Sequence, residues 1–226
     1  SLGGGVFDTN SLLTFSGVAI NAPIDNNNTA GPINDARFYV DSGGITNNST
    51  ITLEGVSGRN SQFGFTATGG TLDGTGEIVL AGGNAQTFIG VFPGIAREFT
   101  HGASHTIRGA GVIGSPMINQ GTIRAEPGTE GSILLVNNPQ TNNGLMEAGA
   151  GATLEFQSSV SNTMQGPTGV ISAANGGAVE FENTVITGGR LETAGTGTMT
   201  VTSSPLTVNN VTNAGALDVP SSVTLR

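Results

Sequence analysis

The chain has 226 residues, with 37 Gly, 9 Pro, 16 Asp and Glu, no Cys, no Trp and a formal charge of −9. All 7 basic residues are Arg, which excludes Schiff-base chemistry, a phosphate-loop lysine and lysine–asparagine isopeptide bonds. So acidic a chain cannot supply the basic footprint that nucleic acid or an anionic membrane requires, and without Cys there are no disulfides, thiolate metal sites or thiol nucleophiles.

Glycine and proline together make about a fifth of the chain, below the roughly 25–30% of disordered low-complexity sequences. The glycines follow no three-residue period, so a collagen triple helix is out. No apolar run approaches the ~20 residues of a membrane helix, and the opening Ser1-Leu2-Gly3-Gly4-Gly5 lacks the pattern of a signal peptide.

In chain order, the stretch from Asn21 to Asp35 carries Asn26-Asn27-Asn28 and Gly31-Pro32 and reads as a loop excursion. Gly44-Ile45-Thr46 and Ser49-Thr50-Ile51-Thr52-Leu53 predict two short strands of one coil. Gly70-Thr71-Leu72-Asp73 and Glu77-Ile78-Val79-Leu80 predict two more, joined by a Gly74-Thr75-Gly76 corner. Residues 88–99 gather Phe88, Ile89, Val91, Phe92, Ile95 and Phe99 around Pro93. This stretch is too apolar for a solvated loop and reads as a lateral flap, a dimer contact or a short helix. Thr106-Ile107-Arg108 and Val112-Ile113 flank another Gly-x-Gly corner at Gly109.

From there a repeat is visible. Gly121, Gly144, Gly169, Gly189 and Gly215 lie 20–26 residues apart. Each is followed two positions later by an apolar residue: Ile123, Met146, Ile171, Leu191 and Leu217. A second alternating pair closes each unit: Ile133/Leu135, Leu154/Phe156, Val179/Phe181, Met199/Val201 and Val223/Leu225. Period-2 alternation with Thr, Val and Ile at the pleats and Gly, Asn and Pro at the corners predicts strands, and no 3.6-residue period is sustained. A unit this short cannot bury its own apolar face, whereas stacked units can. The expected fold is all-β: a parallel β-helix (β-solenoid) of roughly ten coils and on the order of 50 Å long. A single domain spans residues 1–226, with irregular coils over 1–100 and regular ones over 101–226. The abrupt stop of the last unit suggests a piece of a longer solenoid, or a subunit whose ends are covered.

The units Asn119-Gln120-Gly121-Thr122-Ile123-Arg124-Ala125, Asn142-Asn143-Gly144-Leu145-Met146-Glu147-Ala148 and Gly188-Gly189-Arg190-Leu191-Glu192-Thr193 resemble repeats of exported bacterial β-helix proteins, the autotransporter passengers and filamentous-haemagglutinin-like adhesins. The resemblance implies a right-handed coil on a bacterial surface and carries over no catalytic residue.

Stacking makes local predictions of its own. Outward positions three after each glycine are Arg124, Glu147, Ser172, Glu192 and Asp218, which sets Arg124 beside Glu147. Asn119, Asn142 and Asn213 sit two before a glycine, where their amides bond to turn backbone or to one another. Glu155 and Glu180 fall side by side on the outside and Glu182 nearby; two splayed, solvated glutamates are expected, with a Ca²⁺ bridge or a catalytic pair as alternatives. Phe156 and Phe181 point inward. His101 and His105, read as part of an extended strand, would lie ~13 Å apart, too far to share a metal. Strands rather than helices follow Gly74, Gly109 and Gly195, so these corners are not phosphate loops.

No catalytic, metal or cofactor-binding residue is assigned, and no cofactor is expected. The reading is a non-enzymatic, extracellular structural or adhesive solenoid of the bacterial surface. Its partners are a protein or glycan on a cell surface, or copies of itself end to end; it uses no nucleic acid and this segment inserts into no membrane. A self-assembling filament or sheath subunit is the alternative, and a polysaccharide-cleaving β-helix enzyme a third possibility.

Overall fold

The computed structural model describes residues 5–6, 12–27, 36–56, 59–82, 87–90, 97–129, 131–157, 162–165 and 168–226. Among them there is no helix. Three parallel sheets run along one axis, and the chain visits them in strict rotation. Among the described residues sheet I, from Gly5–Val6 to Thr212–Asn213, and sheet II, from Leu12–Phe15 to Leu217–Asp218, have ten strands each, and sheet III, from Val18–Ile20 to Thr207–Asn209, has nine. Among the described residues every pairing between the strands is parallel and joins a strand to the one three places on, so successive coils hydrogen-bond to each other through all three sheets. This is the parallel β-solenoid that the alternation predicts. The expected ten coils is slightly high, because about seven turns are regular. Towards the C-terminal end the strands shorten: Thr212–Asn213 and Leu217–Asp218 have two residues each.

Register fills the interior with columns of like residues. On sheet I, Ile24, Ile51, Ile78, Ile107, Ile123, Met146, Ile171 and Leu191 stack in succession, all fully buried. β-Branched side chains with one preferred rotamer pack well in such a column. Two residues on, Leu53 and Leu80 give way to Gly109, Ala125, Ala148 and Ala173. Large side chains come from sheet II instead, where Phe156 and Phe181 stack with ring centroids 5.5 Å apart. Towards the other end Phe15, Phe38 and Phe63 stack in sequence, and Phe65 meets Phe99 at 4.5 Å.

Four details differ from the sequence reading. Ile24–Asn27 is a strand of sheet I, so the excursion expected from Asn21 starts later; residues 28–35 lie outside the described residues. Of the apolar stretch 88–99, Thr87–Ile89 and Phe99–His101 are strands with Ile89 and Phe99 in the core, whereas residues 91–96 lie outside the described residues. In Ile133–Val136 the inward pair is Leu134 and Val136, not Ile133 and Leu135, because four apolar residues in a row leave the face undecided. In the fifth repeat, Asn213 rather than Leu217 pairs with Leu191; Leu217 moves on to sheet II beside Met199.

The repeat glycines answer to close backbone approach. A Cβ on Gly144 would run into the carbonyl oxygen of Gly121 one coil below, and one on Gly169 into that of Asn142. Gly17 is the opposite case: its φ is +57° and nothing lies within 4 Å of its missing Cβ. Gly144→Ala is therefore expected to cost about 2–3 kcal/mol by overpacking against backbone. Gly17→Ala should cost only about 1 kcal/mol of conformational strain. Urea unfolding of the two variants checks the order; equal losses would remove the close-approach explanation.

Candidate functional site

A column of buried polar side chains runs inside the tube at the corner between sheets III and I. Inward positions at the ends of Phe99–His101, Met117–Asn119 and Gln140–Asn142 stack His101, Asn119 and Asn142 in register. All three are fully buried. Each asparagine serves its own turn, since Asn119 Oδ1 accepts from the Gly121 amide and Asn142 Oδ1 from the Gly144 amide, both at 3.2 Å. Asn213 repeats that bond with the Gly215 amide near the C-terminus. Each also reaches the next coil. Asn119 Nδ2 donates to Asn142 Oδ1 at 2.8 Å, and Asn142 Nδ2 to the Val170 carbonyl at 3.0 Å. Both roles expected of the corner asparagines, bonding the turn and bonding one another, are thus present.

The histidines complete this column, and here the extended-strand expectation fails. The chain turns over residues 102–105 instead of running straight, with the His105 amide donating to the Gly102 carbonyl at 3.2 Å. His101 Nε2 and His105 Nδ1 come to 3.1 Å, where ~13 Å was expected. His101 Nδ1 is 2.7 Å from Asn119 Oδ1, and His105 Nε2 is 3.0 Å from Asn47 Nδ2. Asn47 is buried two coils away; its Oδ1 accepts from the Ser49 amide and its Nδ2 also donates to the Glu77 carbonyl.

These partners fix both tautomers. Asn119 Oδ1 accepts, so His101 carries its proton on Nδ1 and accepts at Nε2 from His105 Nδ1–H. His105 Nε2 then accepts from Asn47. The donors run in one direction, from Asn47 through His105, His101 and Asn119 to Asn142. Burial holds both imidazoles neutral, His101 at a pKa of about 4 and His105 at about 3; for His105 the neighbouring ring lowers it further and Glu77 opposes.

Outside, charge follows the same register. Arg124 Nε lies 3.2 Å from Glu147, as the stacking predicts. The sequence reading missed its neighbour: Arg108 grips Glu77 with Nε at 2.7 Å and Nη2 at 3.0 Å. Arg108 and Arg124 stack directly, and Glu126 lies between them, 3.1 Å from one and 3.4 Å from the other. Hydrogen bonding to Arg108 holds Glu77 below the ordinary carboxylate range and Arg108 above the ordinary guanidinium value. An open trough of ≈ 260 Å³ runs beside them, lined in part by Leu80, Gly109, Pro127 and Thr129. A second of similar volume is lined by Phe88, Val112, Gly114, Asn137 and Asn138 on sheet II.

Glu155 and Glu180 are paired across sheet II as expected, and Glu182 accepts from Gln157 Nε2 at 2.7 Å. Partial burial, then Glu180 and Glu182, raise the Glu155 pKa. Among the described residues no three metal-ligating side chains converge.

No protein-family model, curated protein or solved structure matches this chain.

Two expectations follow. Asn119→Ala orphans the His101 Nδ1–H and the Gly121 amide in the interior and should cost at least ~2 kcal/mol, whereas Arg124→Ala, at an exposed pair, should cost less than ~1 kcal/mol in urea unfolding. Glu155→Gln removes a carboxylate whose pKa is raised on folding and so destabilises the folded chain where it is ionised. The variant should melt higher than wild type at pH 7, and the advantage should disappear once the pH falls below the carboxylate range.

Proposed function

We propose that the chain is a non-enzymatic, extracellular structural or adhesive segment of a bacterial surface protein, a stiff rod that presents its outer faces and turns to a protein or glycan on another surface. The observation that carries this reading is how the interior is used. Its apolar columns and its buried polar column alike join coil to coil, so stiffness is built in along the whole axis without disulfides. A rod of this kind transmits force through continuous backbone ladders and leaves its outer positions free to vary. The Asn-x-Gly corners shared with exported β-helix repeats agree with it, since they are the elements that let turns stack at close approach.

The test combines imaging with chemistry. Negative-stain microscopy of the purified chain should give isolated rods on the order of 50 Å at every concentration, and beads coated with the chain should adhere to glycan- or host-protein-coated surfaces. No reducing sugar should be released from a panel of polysaccharides. Release abolished by Glu180→Gln would make the protein a glycan-cleaving enzyme, and filaments lengthening with concentration would make it an end-to-end assembly subunit.

A further inference from the structure

The buried histidine pair does more than fill space, because its bonding pattern has no vacancy for another proton. Each imidazole nitrogen already faces a partner whose role is fixed by the next bond in the chain. A proton added to His101 Nε2 would meet His105 Nδ1–H, and one added to His105 Nε2 would meet the Asn47 amide. Turning Asn47 over to accept would take its Oδ1 from the Ser49 amide and its Nδ2 from the Glu77 carbonyl. The rings are 0% and 1% exposed, so water cannot take up the displaced donors.

No nearby carboxylate compensates. The charged side chains on the strands packed around the pair are Asp73 and Glu77 before it, Arg108 after it and Arg124 on the following coil. Of these only Glu77 favours a charge on His105, none acts on His101, and Glu77 is held by Arg108.

The location matters as much as the chemistry. Below the pair, the Gly74-Thr75-Gly76 corner has no side chain to continue the polar column, since a Cβ at Gly74 would strike the Asn47 backbone. His105 spans this coil to reach Asn47. The pair thus carries the polar column between the coils before residue 74 and those from Asn119 onward, beside the apolar column of Ile51, Ile78, Ile107 and Ile123.

We infer that the imidazoles of His101 and His105, strung between Asn47 and Asn119, form an acid-sensitive latch: proton uptake at this corner opens the turn at residues 102–105 and uncouples the coils on either side. At neutral pH the latch is shut and the rod is continuous. The sign follows from linkage. Both rings have folded pKa values below the ordinary 6.5, so the open or unfolded chain takes up protons first. The closed state keeps its full advantage above pH 6.5, and this declines as the pH falls towards 4. Glu77, lowered from 4.5, loses its pairing only further down, and Glu155, raised, shifts stability in the opposite sense. Between pH 6.5 and 4.5 Glu77 therefore keeps its pairing, and Glu155, raised above 4.5, steadies rather than opens the fold as it takes up its proton, so neither carboxylate accounts for opening.

The experiment is hydrogen exchange by mass spectrometry on the whole chain across that window, with rates corrected for the intrinsic pH dependence. Peptides covering residues 45–50 and 99–109 should exchange at least about tenfold faster at pH 4.5 than at 6.5, and peptides covering residues 170–200 should not change. The His101→Asn/His105→Asn variant, which uses the residue the column itself uses, should lose this pH dependence. An unchanged dependence in that variant would assign the opening to other groups and overturn the latch. Imidazole nitrogen shifts of the wild-type chain guard against a variant that fails to fold. Both rings should remain neutral with the proton on Nδ1 at pH 5, and ordinary titration near 6.5 in the folded protein would equally overturn it.

Discussion

In-register parallel stacking is the constraint from which the rest of this molecule follows. Each side chain lies about 4.8 Å from its counterpart in the next coil, so a residue type is tolerated only if it is compatible with itself or with what lies directly above and below. Isoleucine satisfies this on sheet I, phenylalanine on sheet II, and asparagine at the corner, where an amide has both a donor for one neighbour and an acceptor for the other. Glycine satisfies it where backbone approaches backbone.

Charge meets the same constraint on the outside with different success. Arg108 over Arg124 is a like-charge contact that Glu126, Glu77 and Glu147 relieve by insertion and flanking. Glu155 over Glu180 has no cation beside it among the described residues, and Gln157 engages Glu182 instead. The first arrangement is a neutralised strip, whereas the second leaves unbalanced negative charge on sheet II. A chain with 16 acidic and 7 basic residues cannot relieve every such stack.

Legibility in the sequence divides along the same line. Where neighbours in the stack are alike, the repeat announces them: the spacing of Gly121, Gly144 and Gly169 yields the sheet I strands, the asparagine corners and the Arg124–Glu147 pair. Where local pattern is uninformative it does not. Four successive apolar residues at Ile133–Val136 carry no alternation, so the face was set by the strands on either side, Gly111–Ile113 and Thr153–Gln157. The fifth repeat keeps its asparagine–glycine turn yet moves by one strand position, which a motif two residues long cannot encode. The histidine pair was hidden for a different reason. Its spacing alone suits an extended chain, and the turn that folds one ring against the other is stabilised by contacts with Asn47 and Asn119, 54 and 18 residues away from His101.

That pair also shows why the column changes chemistry where it does. An asparagine reaches only the adjacent coil, and a chain of asparagines would end at the Gly74 corner, leaving Asn47 separated from Asn119 by more coils than one amide can bridge. Two imidazoles set at 83° to each other cover the distance, each with one donor and one acceptor at opposite sides of the ring. A lysine or arginine has the reach but only donors, and would bury a charge; a glutamine has a donor and acceptor at the same end. The geometry thus selects histidine for its two-ended neutrality, and the same two-ended neutrality is what a third proton on the pair destroys.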